Sequence, residues 1–200
     1  YNYFNSSAFQ EIPCYNANFT RRFVNKMSRI YTVGATRNVN TQYNELTLKK
    51  DARMKHVERM TRLIGTVATQ VIYKEVNGMP YFDYRPIYYF DVHLADPFTP
   101  TAIMYPLLMQ PEDGSYTEKL EYAYWDESIY AQYDENGDIV EEYEHGYGIL
   151  PFVFTHREEQ IDEFFVDGAN DIVDCNEQVN IAMTEMQLGL RFQMFGQPYM

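Results

Sequence analysis

Cysteine is scarce: Cys14 and Cys175 are the only two, far apart and without a CxxC pattern. That sets aside a disulfide framework and makes a reduced, intracellular history the expectation. Long apolar runs are absent as well. The longest, TAIMYPLLM, is broken by Pro106 and falls well short of the ~20 residues of a membrane-spanning helix. No membrane partner is expected. There is no GxxxxGK[ST], GxGxxG, GxSxG or HExxH, and neither cysteine sits in a local activating pattern. No cofactor and no catalytic residue are therefore expected, and an enzyme is the less favoured class. Basic residues are nearly missing from one stretch. Residues 76–200 carry only Arg85, Lys119, Arg157 and Arg191 against 24 acids.

The first 75 residues show the opposite bias, with twelve Lys and Arg against five acids. The net charge of −13 thus hides a basic part and a strongly acidic part. Such polarity suggests faces with different partners, or head-to-tail contact between subunits; the plainer reading is two solvated faces. Hydrophobic residues make up 46% of the chain and aromatics 16%, so a packed core is expected rather than wholesale disorder. Tyr is common, at 19 copies, and favours strands and interfaces.

Periodicity and turn chemistry order the elements. Asn18 is placed to cap a helix through Ile30 or Tyr31, with Phe19, Phe23, Met27 and Ile30 on one side and Gly34 to end it. A polar loop, residues 35–42, leads to a second helix over about 43–64, which Gly65 breaks. GTVATQVIYKEV reads as a strand, and Asn77-Gly78 as a type I′ hairpin turn. MPYFDYRPIYYFDVHL reads as the returning strand, at an edge or bulge because of Pro86. A second hairpin is expected around Asn136-Gly137, with Ile129, Ala131 and Tyr133 alternating with polar residues. A short apolar strand, ILPFVF, precedes the last element.

That element is one long helix from about Ala169 to Phe195, roughly 40 Å at ~1.5 Å per residue. Its apolar positions include Ile172, Cys175, Val179, Met183, Met186, Leu190 and Met194, an eleven-residue period close to that of an unsupercoiled helix. One narrow apolar stripe on so long a rod calls for packing along its length, in this chain or another. The fold class is α+β: N-terminal helices, antiparallel β hairpins and a long C-terminal helix. Three regions are expected. Residues 1–42 are an irregular segment and a basic helix, 43–157 a helix with the hairpins, and 158–200 an acidic linker with the rod. The chain begins at Tyr1 and ends just past Pro198, which suggests a piece of a longer polypeptide.

Several constellations invite chemistry. Asp134, Asn136 and Asp138 resemble a calcium loop, but Gly137 stands fourth where such a loop needs its Gly sixth, so a turn is the better reading. Asp91, His93 and Asp96 offer an imidazole beside carboxylates, with no second His close by. The acids Glu158, Glu159, Asp162, Glu163, Asp167, Asp171, Asp174 and Glu177 are dense enough for a two-metal nuclease site. The competing reading is that they complement a helix N-terminus, with Asp171, Asp174 and Glu177 along one solvated face. Asp167, Asp171, Asp174 and Glu177 are the candidate acidic channel or interface face. Arg21, Arg22, Lys26, Arg29, Lys49, Lys50 and Arg53 are the candidate basic face, suited to phosphates or to the acidic half of a neighbouring subunit.

The order and texture of the chain resemble those of tailed-bacteriophage portal (head–tail connector) proteins. The stretch from Met54 to Pro97, MKHVERM through LADP, is similar to the portal wing, where a helix leads into a strand and a hairpin and closes on a polar turn. GYGILPFVF, with Gly148, Pro151, Phe152 and Val153, followed by a long helix rich in Asp, Asn and Met, is similar to the later pattern that starts the stem. The resemblance covers about residues 18–198. It implies a structural homo-oligomeric ring, usually of about twelve subunits, at one capsid vertex. It also implies that double-stranded DNA passes through without sequence preference. Terminase, capsid and head-completion or tail proteins dock on such a ring, and it has no catalytic activity of its own. The implied location is the virion, with the host cytoplasm during assembly. The clip and crown parts are expected after Met200, so terminase- and adaptor-binding residues are not carried over. The alternatives are a metal-dependent nuclease built on the 158–177 acids and His93, or another virion neck or tail adaptor module.

Overall fold

The computed structural model describes residues 15–33, 38, 50–109 and 119–195. It is a mixed α+β structure with antiparallel sheets and a long C-terminal helix. Gly34, Lys49, Cys14, most of the 35–42 loop, the 43–49 start of the expected second helix and Met194 as a packing side chain lie outside the described residues. The described residues fall into two compact units. One joins the residues up to Met27 with those from Ala169 onward; the other is Ser28–Gly168.

The helical unit holds α1 (Phe19–Met27) and α3 (Asn170–Phe195). Asn18 caps α1 as its side-chain chemistry predicts: its Oδ1 accepts the Arg21 amide at 2.8 Å. The helix ends earlier than the sequence suggests. In the other unit the buried Glu58 carboxylate accepts the amides of Ile30 and Tyr31, which turns the chain out of helical geometry.

The β-rich unit begins, after that turn, with α2 (Lys50–Ile64), which packs on β1 (Thr66–Val76). A three-stranded sheet has the order β2-β1-β8, with β2 spanning Met79–Ile87 and β8 Phe152–His156. Asn77 and Gly78 take φ of 54° and 75°, as the type I′ turn requires. Pro86 stands on an edge strand, where its missing N–H costs no ladder bond.

The segment expected to return as one strand through Leu94 is two. The chain leaves β2 at Ile87, crosses over Tyr88–Phe90, and enters β3 (Asp91–Asp96) of a second sheet. That sheet is a five-stranded meander, β3-β4-β5-β6-β7. Its other strands are Thr99–Met109, Lys119–Trp125, Ile129–Tyr133 and Ile139–Glu144. Ala68, Ile87 and Phe152 of the first sheet share one core with Ile103, Tyr105, Ala123 and Trp125 of the second. The Tyr-rich composition is spent here. Tyr130 lies 4.8 Å from the Trp125 ring, while Ile129 and Tyr133, expected on the packed face, are only half-buried.

Two glycines pin the connection towards the rod. Gly65, at φ 91°, ends α2, its amide reaching the Thr61 carbonyl at 2.9 Å. A Cβ on Gly65 would lie 1.8 Å from the Val166 carbonyl oxygen. Gly168 meets the Leu63 carbonyl in the same way, at 2.6 Å. The Arg157 guanidinium holds the Gly168 carbonyl at 2.8 Å, and the Thr66 hydroxyl accepts the Val166 amide at 2.9 Å.

Candidate functional site

The rod α3 is gripped along one side, and not by the apolar stripe the sequence suggests. Residues 15–18 run extended and antiparallel to it. The Tyr15 amide donates to Thr184 Oγ1, the Ala17 amide to Asn180 Oδ1 and the Phe19 amide to Asn176 Oδ1, each at 2.8 Å. Asn180 Nδ2 returns a bond to the Ala17 carbonyl at 3.0 Å. The spacing follows from geometry. Two extended residues advance about 6.6 Å and four helical residues about 6.0 Å, so alternate amides meet successive turns. Thr184 is 1% exposed, and its hydroxyl also donates to the Asn180 carbonyl.

The expected stripe faces solvent instead. Ile172 and Met183 are half-buried. Cys175 and Val179 are exposed, and Met186 and Leu190 are 52% and 53% exposed. The reason is angular: with Asn176, Asn180 and Thr184 turned inward, Cys175, Val179, Met186 and Leu190 lie on average about 110° round the helix from them, and Ile172 and Met183 fall in between. The first helix behaves likewise. Phe19, Thr20 and Val24 are its half-buried positions, whereas Phe23 and Met27, expected on the packed side, are 57% and 58% exposed.

The charged candidates divide between the units. Arg21, Arg22 and Lys26 are exposed on α1. Arg29 is exposed beyond it, in the β-rich unit. Lys50 and Arg53 are engaged by β2: the Lys50 ammonium lies 5.5 Å from the Tyr84 ring centroid, and Arg53 is 3.8 Å from Asp83. Asp83 also bonds Lys74 at 2.8 Å, which holds its carboxyl below the usual range. Lys50 and Arg53 thus face their own sheet as well as solvent. Asp171 and Asp174 are exposed on α3, and Asp167 is exposed in the β-rich unit. Glu177 is half-buried, because the second step of three residues from Asp171 rotates it off the solvated face.

Asp134, Asp96 and Asp126 hold turns, and three histidines pair with hydroxyls. Asp134 accepts the amides of Asn136 and Asp138, making a turn, and the Asp138 bond foremost lowers its pKa. Asp96 does the same for Phe98 and Thr99, with its pKa lowered chiefly by the Phe98 amide. At Asp126 desolvation is outweighed by the amides of Ile129 and Ser128, so its carboxyl is also held down. His93 Nδ1 pairs with Thr101 Oγ1 at 2.8 Å, and His56 Nε2 with the Tyr88 hydroxyl at 2.6 Å. Burial alone lowers the pKa of His156, which sits 3.2 Å from Thr66 Oγ1. Among the described residues no three His, Cys, Asp or Glu side chains gather as a metal set. No described helix is long and apolar enough to cross a membrane.

The chain matches no protein-family model. It also matches no curated protein.

Proposed function

We propose that the chain is a structural subunit of a portal-like ring, through which double-stranded DNA is packaged and ejected at a capsid vertex. One observation carries the reading. The long helix α3 satisfies its inner side with a polar clasp and leaves Cys175, Val179, Met186 and Leu190 open. A helix that exposes its apolar stripe while turning half-buried asparagines and the buried Thr184 inward is built to meet another surface. Burying that stripe against a neighbour stabilises by about 25 cal/mol per Å² of apolar area.

The order of elements supports the same reading: a helix into a hairpin sheet, a Gly- and Pro-bearing strand, then a rod. The charge split fits it too. An acidic wall repels the phosphate backbone and keeps a sliding duplex from sticking, while basic helices are suited to phosphates or acidic neighbours. In this role the protein needs no cofactor and performs no chemistry. Terminase, capsid and head-completion or tail proteins are its docking partners, and the virion is its destination.

Negative-stain images of the full-length protein test the proposal. Rings of about twelve subunits with a central pore are expected. Single particles at high concentration would overturn it. Labelling the protein in purified particles separates a portal vertex from a neck or tail adaptor.

A further inference from the structure

We infer that the two open helical faces dock on each other between copies, α1 of one chain against α3 of the next. This rests on the ring reading and names its contact. Both faces belong to the helical unit, and both have the same design. On α1, Phe23 and Met27 form an exposed apolar stripe, one turn apart. By helical spacing Arg22 and Lys26 flank it, with Arg21 further round, and α1 contains no acid. On α3, Cys175, Val179, Met186 and Leu190 form the exposed stripe. Asp171 lies beside it and Asp174 on the next row, both exposed.

Each stripe is apolar at its centre and charged along its flank, with opposite signs. That complementarity selects the occupant. An α3–α3 contact would bring together two helices that each carry four acids against Arg191 alone. An α1–α3 contact sets Arg22 and Lys26 against Asp171 and Asp174 beside a shared apolar seam. The two faces differ, so the contact is heterologous: each copy offers one of each. A repeated heterologous contact closes into a ring when its rotation divides a full turn. The clasp assists, because bonds from Asn176 and Asn180 fix the strap that leads into α1.

The test uses the full-length protein at matched concentration, read by mass photometry. Arg22→Glu with Lys26→Glu, and separately Asp171→Lys with Asp174→Lys, should each cut the ring population by about tenfold or more. The chain carrying all four reversals should regain rings. Circular dichroism melting checks that each variant folds. A cross-link gives an independent readout. A Phe23→Cys chain lacking Cys14 and Cys175 is mixed with a Cys14→Ser chain that keeps Cys175. A short bismaleimide should join the two. Rings that persist in both charge-reversed variants, or a mixture of the two cysteine variants that gives no hetero cross-link, overturn the inference and leave the ring standing. A wild-type protein that stays monomeric overturns both.

Discussion

Gly65 has no room for a side chain. A methyl there enters the Val166 carbonyl at 1.8 Å and holds a φ of 91° that L residues rarely take. Gly65→Ala should lower stability by roughly 3 kcal/mol or more, seen as a fall in the melting temperature. Gly78, with open space around it and φ 75°, is the contrast: Gly78→Ala should cost about 1 kcal/mol, from backbone strain alone. His156 sets a pH dependence. Burial pushes its pKa below the ordinary 6.5, so the unfolded chain takes up the proton first as pH falls. The stability it supports is complete above about pH 6.5 and declines below it. In His156→Gln that part of the slope should vanish from urea midpoints measured across the window; an unchanged slope would contradict the assignment. The sequence showed the turn residues plainly, since Asn18, Asn77-Gly78, Gly65 and Asp134 each act through local chemistry. It could not show that Glu58 caps a segment 28 residues earlier in the chain, because nothing local marks that pairing.

Among the elements, the strap on α3 is the one least visible in the sequence. Asn176, Asn180 and Thr184 recur every four residues, and asparagine is a poor helix-interior residue unless its amide is used. That spacing was the available signal, and the apolar period beside it was the stronger one. The long helix, the hairpins and the edge position of β2 were legible, because period and turn signals agreed. The sheet change after Ile87 was not, because one run of aromatic and β-branched residues serves two strands. Asn180 makes two bonds to Ala17. Asn180→Ala should therefore cost about 1–3 kcal/mol and speed hydrogen exchange at the Ala17 amide, without melting the β-rich unit. Exchange at Ala17 unaffected by the substitution would show that the clasp does not hold the strap.

For the molecule as a whole, charge and exposed apolar surface point the same way. The basic residues gather in the first 75 positions and the acids after them. The described chain leaves Phe23, Met27, Met186, Leu190 and Phe192 uncovered on its helical unit. A contact flanked by exposed opposite charges is screened by salt. Raising ionic strength from about 0.05 M to about 0.5 M should shift rings towards smaller species. The rod's length and the charge split are both legible in the sequence. The contacts of Lys50 with Tyr84 and of Arg53 with Asp83 are not, because no sequence pattern marks those pairings. The decisive measurement is the particle mass of the full-length protein in low salt. A species of about twelve subunits, dissolved by the Asp171→Lys and Asp174→Lys pair, is the predicted result. A single-chain mass at every concentration would contradict the account.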